Sequence, residues 1–256
     1  MTGFRDEDLT CNAFLGGAVQ LWQPKRGYRA GVDPVLLAAV VNAKPGQQVL
    51  ELGCGAGQVL LCLAARVSGL DLTGVELQAD YADLARRNAA ENEVAIAVKN
   101  ADLSALPSEL RQKRFHHVLA NPPYYQKGRH SSAADAGRAT ALGEDTALDL
   151  WFEVAAKRLL PKGYLHMIQR ADRLPEMLAG CTGRLGSVEV LPLAARTGKA
   201  PDLVILRARK EGKAPFRLHA PLILHAGTQH ERDADSYVPE IASILRRGAA
   251  LNWPNA

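Results

Sequence analysis

Two short segments of the chain combine residue types that could bind and react with a small polar ligand. The first, residues 51–57, reads Glu-Leu-Gly-Cys-Gly-Ala-Gly, an acid followed by three glycines on alternate positions. Glycines permit a tight turn and a close approach of the backbone to a ligand, and the N-terminal amides of a following helix favour an anion. The nicotinamide-type fingerprint requires Gly or Ala where this chain has Gln58, so that fingerprint is absent. A glycine turn without a ligand remains the alternative.

The second segment, Asn121-Pro122-Pro123-Tyr124, follows the apolar run 117–120. Proline fixes the backbone and leaves its carbonyl free, and asparagine offers an acceptor oxygen without a negative charge. Two such acceptors on the hydrogens of a planar amine would favour its pyramidal form and free the nitrogen lone pair for attack. The tyrosine ring could stack on the same substrate. A turn that stops a strand is the plainer alternative.

Two acids follow predicted strands further along the chain. Glu76 comes one helix and one strand after the glycine segment, where an acid can accept both hydroxyls of a ribose. Asp102 follows the next predicted strand, where a carboxylate could accept a hydrogen bond from an adenine amine while Leu103 lies flat against the ring. A solvated charge at Glu76 and a cap or turn residue at Asp102 are the alternatives.

The relative positions of these residues depend on an alternation of strands and helices along the chain. Helical patterns cover 59–65, 80–92 with Asp80 as N-cap, and 148–160, which Pro161-Lys162-Gly163 would end. The alternation predicts an α/β, Rossmann-like fold: a seven-stranded, mostly parallel, doubly wound sheet with ligands beyond the carboxyl ends of its strands. No helix separates the last two strands, which predicts an antiparallel C-terminal hairpin. Short apolar runs place the strands at 49–52, 72–77, 95–98, 118–120, 164–168, 187–193 and 203–209.

Smaller elements precede and follow this core. Gly16-Gly17 predicts a small hairpin, Asp33 as N-cap with Pro34 behind it predicts a helix start, and 238–247 predicts a C-terminal helix. We predict one domain, in which residues 1–45 form an N-terminal arm and lead-in helix packed on the core. Residues 46–210 form the core itself, and 211–256 extend the same domain.

Composition is ordinary for a globular protein, with 47% hydrophobic and 23% charged residues. The net charge of +4 permits a polyanionic partner without requiring one. Four cysteines without a Cys-x-x-Cys pair or a histidine cluster predict no zinc site and no other metal. Because the start lacks a secretory leader and no run reaches the ~18 apolar residues of a membrane span, we expect a cytoplasmic protein with reduced thiols.

The glycine segment, Glu76, Asp102 and Asn121-Pro122-Pro123-Tyr124 together resemble the Rossmann-like methyltransferases that use S-adenosylmethionine, over roughly residues 46–210. The Asn-Pro-Pro-Tyr motif is narrower, since it occurs in enzymes that methylate adenine N6, guanine N2 of ribosomal RNA or the glutamine of release factors. Residues 27–38 resemble the N-terminal motif of the bacterial tRNA1(Val) adenine-37 N6-methyltransferases.

This resemblance implies methyl transfer from S-adenosylmethionine to the N6 of an adenine in tRNA, with position 37 of a valine tRNA as the target. The alternatives are a release-factor glutamine, ribosomal RNA or DNA bases, or a cofactor-binding RNA-associated factor without transferase activity. The implied catalytic residues are Asn121, Pro122 and Tyr124. The implied cofactor residues are Asp33, Glu51, Gly53, Cys54, Gly55, Gly57, Glu76, Leu77, Asp102, Leu103 and Asn121. Substrate contacts fall on Pro123 and Tyr125, and on Lys127 and Arg129 in the loop 126–140, which is either a lid over RNA or a solvated loop.

Overall fold

Strands and helices alternate along the chain in a computed structural model that describes residues 3–27, 29, 31–124, 147–227 and 236–254. The strands are β1 (Leu9–Phe14), β2 (Val19–Pro24), β3 (Gln48–Leu52), β4 (Asp71–Glu76), β5 (Ile96–Asn100), β6 (Phe115–Ala120), β7 (Leu159–Arg170), β8 (Gly186–Ala194), β9 (Leu203–Arg209), β10 (Arg217–Leu218) and β11 (Leu222–Ile223). The helices are α1 (Asp33–Ala39), α2 (Gln58–Arg66), α3 (Ala79–Glu91), α4 (Ser108–Gln112), α5 (Leu148–Arg158), α6 (Leu174–Cys181) and α7 (Pro239–Arg247).

Seven strands form the central sheet in the order β5-β4-β3-β6-β7-β9-β8. All pairs are parallel except those of β9, which runs antiparallel to both β7 and β8. The predicted Rossmann-like sheet and its C-terminal hairpin are thus confirmed. The short strands β10 and β11 add to the outer edge at β8 and extend the sheet to nine strands. The strand order reverses between β3 and β6, which in α/β sheets is where ligands bind.

Both faces of the sheet are covered by helices, and the side chains of neighbouring residues in one strand pack on opposite faces. On β6, Leu119 packs with α1, α2 and α7, whereas Val118 packs with α5 and α6. This two-sided burial explains why the central strands appear in the sequence as continuous apolar runs rather than as alternating patterns. The parallel pairing of β3 with β6 places their carboxyl ends level, with Leu52 opposite Ala120.

The N-terminal hairpin β1–β2 is held against α3 by two asparagine side chains one helical turn apart. Asn88 accepts from the Trp22 amide at 2.8 Å and donates to its carbonyl at 3.0 Å. Asn92 makes the same pair of bonds with Gln20, at 2.8 and 2.7 Å. The two side chains act as a substitute strand for the edge of β2. Asn88 also donates to the Ala56 carbonyl at 2.9 Å, so the hairpin is tied to the glycine segment.

The C-terminal helix α7 is confirmed, and the residues behind it return to α1. The Leu251 amide donates to the Ala39 carbonyl at 2.9 Å, and the Trp253 indole donates to the Val40 carbonyl at 3.2 Å. Ile241, Ile244 and Leu251 share one buried cluster with the residues of α1.

Three local predictions are wrong. Asp80 is not the N-cap of α3, which begins at Ala79 after Gln78. Asp33 is not the N-cap of α1 but its first residue, after Val32, and its carboxylate accepts from the Tyr124 hydroxyl. Residues 161–163 do not end a helix but lie inside β7, where the pairing with β6 shifts register. The helix had already ended at Arg158 because the chain turns there into the sheet.

Candidate functional site

The glycine segment turns from β3 into α2 through backbone conformations that favour glycine. Gly53, Gly55 and Gly57 have φ values of +63°, +51° and +88°. At Gly53 space is restricted as well, since a Cβ atom would lie 2.6 Å from Cη2 of Trp151 on α5. Glycine is therefore required there both by the backbone and by the buried indole packed against it. Trp151 was not anticipated from the sequence.

A cleft that is open to solvent lies at the carboxyl edge beside this turn. It brings together residues from three separate segments that the sequence singled out: Glu51 with Gly53 and Gly55, Asn121 after β6, and Pro34 next to Asp33. The hairpin and α3 contribute side chains that the sequence did not indicate as site residues. The lining residues are Gln23, Pro24, Pro34, Glu51, Gly53, Cys54, Gly55, Ala56, Gln58, Val59, Tyr81 and Asn121.

Two lining side chains are buried with polar atoms that have no hydrogen-bond partner in the described part of the chain. They are Oε2 of Glu51, which is 2% exposed, and both amide atoms of Gln58, which is 4% exposed. Burial raises the pKa of Glu51 well above its ordinary value, and the charge of Glu76 adds to that effect, while the Leu60 amide opposes it. Buried polar groups of this kind are costly unless a ligand satisfies them. The Glu51 side chain offers an acceptor for the ammonium of an amino-acid group, and the Gln58 amide offers a donor for its carboxylate.

Glu76, at the end of β4, is fixed by the glycine turn rather than being a solvated charge. Its carboxylate accepts from the Gly55 amide at 2.8 Å and from the Gln78 amide at 2.9 Å. Burial raises the pKa of Glu76, and the hydrogen bonds from these backbone amides partly offset the rise. The next residue, Leu77, is 46% exposed, and Asn100 of β5 donates to the carbonyls of both Glu76 and Leu77. An apolar side chain is thereby held at the surface beside a buried acid.

Asp102 and Leu103 follow β5, outside the residues that line the cleft. Asp102 is exposed and caps a short 3-10 turn, accepting from the Ser104 amide at 2.7 Å and the Ser104 hydroxyl at 2.8 Å. Those bonds lower the pKa of Asp102 below its ordinary value. Oδ1 of Asp102 accepts both of these bonds from Ser104. Leu103 is partly buried against the α5 side of the core.

The Asn-Pro-Pro-Tyr segment leaves β6 directly beside the glycine turn. Asn121 lines the cleft with Glu51 and Gly53. The Tyr124 hydroxyl donates to Oδ2 of Asp33 at 2.7 Å, so the motif and the start of α1 are joined across 91 residues. The sequence singled out both residues but not their contact. Tyr125, Lys127 and Arg129, which were expected to contact substrate, lie outside the described residues.

The motif is also held from β7, on its other side. The side chain of Gln169 donates to the carbonyl oxygens of Pro122 at 3.2 Å and Pro123 at 3.4 Å. Nothing in the local sequence marks Gln169, which reads as one more residue of an apolar strand.

None of the helices among the described residues has the length and the apolar composition of a membrane span. Among the same residues, no group of three or more His, Cys, Asp or Glu side chains is arranged to hold a metal ion.

Comparison with known proteins adds three findings. Residues 31–191 match the methyltransferase small domain family. The chain is 31% identical over 230 residues to a tRNA1(Val) (adenine(37)-N6)-methyltransferase of Porphyromonas gingivalis, covering 84% of this chain and 86% of the relative. A protein of the same name from Cronobacter sakazakii is 31% identical over 190 residues, covering 70% and 74%.

Solved structures share the fold. One from Agrobacterium tumefaciens, described as a predicted O-methyltransferase, superposes with a TM-score of 0.69 at 26% identity, covering 86% of this chain and 99% of that one. The 16S rRNA N2 G1207 methyltransferase of T. thermophilus, in complex with AdoMet and guanosine, superposes with a TM-score of 0.56 at 21% identity, covering 79% and 50%.

Proposed function

The chain belongs to the methyltransferase small domain family, and from this premise we propose that it transfers a methyl group from S-adenosylmethionine to the exocyclic N6 of an adenine in tRNA. The target we propose is adenine 37 of a valine tRNA. The observation that carries the proposal is the position of Asn121. Its amide lines the same cleft as Glu51 and the glycine turn, so an acceptor for the substrate amine lies beside the cofactor site.

S-adenosylmethionine, when bound, supplies a methyl group on a sulfonium that is open to nucleophilic attack. Glu51 and Gln58 would hold its amino-acid end, because their unsatisfied polar atoms match an ammonium and a carboxylate. Glu76 would hold the ribose, while Leu77, Asp102 and Leu103 would hold the adenine. The two bonds from Ser104 to Asp102 both end on Oδ1, and Oδ2 takes part in neither. The cofactor would approach the backbone of the turn closely at Gly53, Cys54, Gly55 and Gly57. The three glycines make this possible, because they have positive φ values and no side chain.

For the substrate, Asn121 and the Pro122 carbonyl would accept the two hydrogens of the adenine amine. A carbonyl oxygen has two lone pairs, so Pro122 can accept from Gln169 and from the amine together. Polarised in this way, the amine exposes its lone pair, and its proton leaves after the methyl group has been transferred. The rate enhancement would come from position and preorganised polar groups rather than from a base of matched pKa.

Tyr124 would stack on the adenine, with its hydroxyl fixed by Asp33. Stacking of a base on an aromatic side chain contributes roughly 1–3 kcal/mol of binding free energy. To reach Tyr124, the adenine would have to leave its stacked position in the RNA. The names of the curated relatives favour tRNA over the release-factor glutamine, which the motif alone leaves open.

The test is methylation of bulk bacterial tRNA that lacks this modification, with nucleosides analysed by mass spectrometry. We expect N6-methyladenosine with the wild-type chain and a loss of about 100-fold or more with Asn121→Ala. Cofactor affinity of that variant should stay within tenfold, or about 1.4 kcal/mol. Asn252→Ala, at an exposed position near the C-terminus, serves as the matched control and should behave as wild type. Absence of the product with tRNA would contradict the proposal.

A further inference from the structure

Gln169 is a completely buried amide whose hydrogen bonds converge on the catalytic motif. It is 0% exposed and lies next to the end of β7. Its Nε2 donates to the Pro122 carbonyl at 3.2 Å and to the Pro123 carbonyl at 3.4 Å, and its Oε1 accepts from the Arg170 amide at 2.8 Å. It is not among the residues that line the cleft.

The orientation of this amide is fixed by its three partners. The Arg170 amide can only donate, and the two prolyl carbonyls can only accept. A flipped side chain would place Oε1 against two oxygens and the NH₂ group against an N–H, so every contact would be repulsive. Gln169 therefore presents two N–H groups to the motif in one defined direction.

The motif needs a donor from outside because of its own composition. Pro122 and Pro123 have no N–H, so they cannot hold the segment through their own backbone donors. Pro122 is buried, and a buried carbonyl without a donor is destabilising. Strand β7 pairs with β6 up to Met167 opposite Ala120, which places Gln169 level with the prolines.

We propose that Gln169 is a positioning residue for methyl transfer: its NH₂ group donates to the carbonyls of Pro122 and Pro123 and thereby sets the direction of the Pro122 carbonyl, so that the remaining lone pair of that oxygen meets the substrate amine. This inference rests on the proposed function. Gln169 acts through Pro122 and does not itself contact the substrate, so it should affect the chemical step rather than the binding of cofactor or RNA.

The test compares Gln169→Glu with Gln169→Met in the full chain, by single-turnover methylation of tRNA between pH 6 and pH 8.5. A protonated carboxyl at this position reproduces two of the three bonds, because its O–H can donate to the Pro122 carbonyl while its other oxygen accepts from the Arg170 amide. Its single proton leaves the Pro123 carbonyl without a donor from this side chain. An ionised carboxylate repels both prolyl carbonyls. Burial beside carbonyl oxygens favours the protonated form, so lowering the pH should restore the donor.

We expect the rate of Gln169→Glu to fall at least 30-fold below wild type at pH 8.5 and to recover at least tenfold, relative to wild type, at pH 6. Gln169→Met should be slow at every pH. The KM for tRNA and the Kd for S-adenosylmethionine should stay within threefold for both variants. Gln112→Glu, on an exposed residue of α4, is the matched control and should follow the wild-type profile.

Wild-type rates in both variants would overturn the inference. So would a loss of rate that follows cofactor affinity and thermal stability with no recovery at low pH, because that pattern belongs to a purely structural residue. A wild-type chain that does not methylate tRNA would overturn the proposed function and this inference with it. Active wild type with unaffected variants would overturn this inference alone.

Discussion

Gly53→Ala should destabilise the protein in two separate ways, through the backbone conformation at residue 53 and through a clash with Trp151. With a φ of +63°, an alanine at this position costs roughly 1–2 kcal/mol in backbone conformation alone. Its Cβ would also lie 2.6 Å from Cη2 and 3.1 Å from Cζ3 of Trp151, which is buried and cannot move freely. Overpacking of this kind costs about 1–3 kcal/mol. We therefore expect a total loss of about 2–5 kcal/mol in the free energy of unfolding.

Gly183→Ala is the matched control for this substitution. Gly183 has a φ of +71° and nothing within 4 Å of its ideal Cβ position, so only the backbone cost of roughly 1–2 kcal/mol applies. Urea unfolding of both variants measures the difference, which isolates the clash with Trp151. A double-mutant cycle with Trp151→Leu should recover that difference as coupling.

The clash at Gly53→Ala should also weaken cofactor binding, because Gly53 lines the cleft and Gly183 does not. We expect calorimetric titration to give at least tenfold weaker S-adenosylmethionine binding for Gly53→Ala and unchanged binding for Gly183→Ala. Equal destabilisation by the two substitutions, with no coupling to Trp151, would refute the reasoning that the indole fixes the glycine turn.

Three further predictions concern single side chains. Glu51→Gln should raise the free energy of unfolding at pH 8, because it removes a buried carboxyl whose pKa is raised, yet weaken S-adenosylmethionine binding at least tenfold in calorimetry. Tyr124→Phe should keep methyl transfer within about tenfold, since the ring remains, whereas Tyr124→Ala should lose roughly 1–3 kcal/mol of substrate stacking in kcat/KM. Burial lowers the pKa of His117 to about 4. Because the unfolded chain takes up this proton below about pH 6.5, urea unfolding should show wild type losing about 2 kcal/mol more than His117→Gln between pH 7 and pH 5.

The parts of the site that the sequence predicted are those where a local pattern demands particular residues. Three glycines on alternate positions marked the turn, and their positive φ values explain why no other residue type suits it. The prolines after β6 marked an irregular segment at a strand end. The continuous apolar runs marked strands covered on both faces, from which the parallel sheet and the meeting of the site segments at one edge follow.

The parts that the sequence could not predict depend on side-chain contacts between distant segments. Asn88 reads as an ordinary residue of a helix, although it binds the backbone of β2 and the glycine segment. Gln169 is similar, because its role depends on the register between β6 and β7. The strands β10 and β11 are two residues each, too short for any periodicity to show. At 161–163 the turn tendency of proline and glycine appears as an irregular step within β7, since pairing with β6 moves from Leu159 to Tyr164 and Lys162 has a φ of +66°.

Locating the methylated atom in a defined RNA distinguishes methylation of adenine 37 from every other activity. An unmodified valine tRNA transcript would be incubated with the wild-type chain and S-adenosylmethionine, digested, and analysed by mass spectrometry beside a transcript with guanine in place of adenine 37. We expect one N6-methyladenosine at position 37 and no product with the guanine transcript. Methylation of both transcripts alike, or of neither, would contradict it.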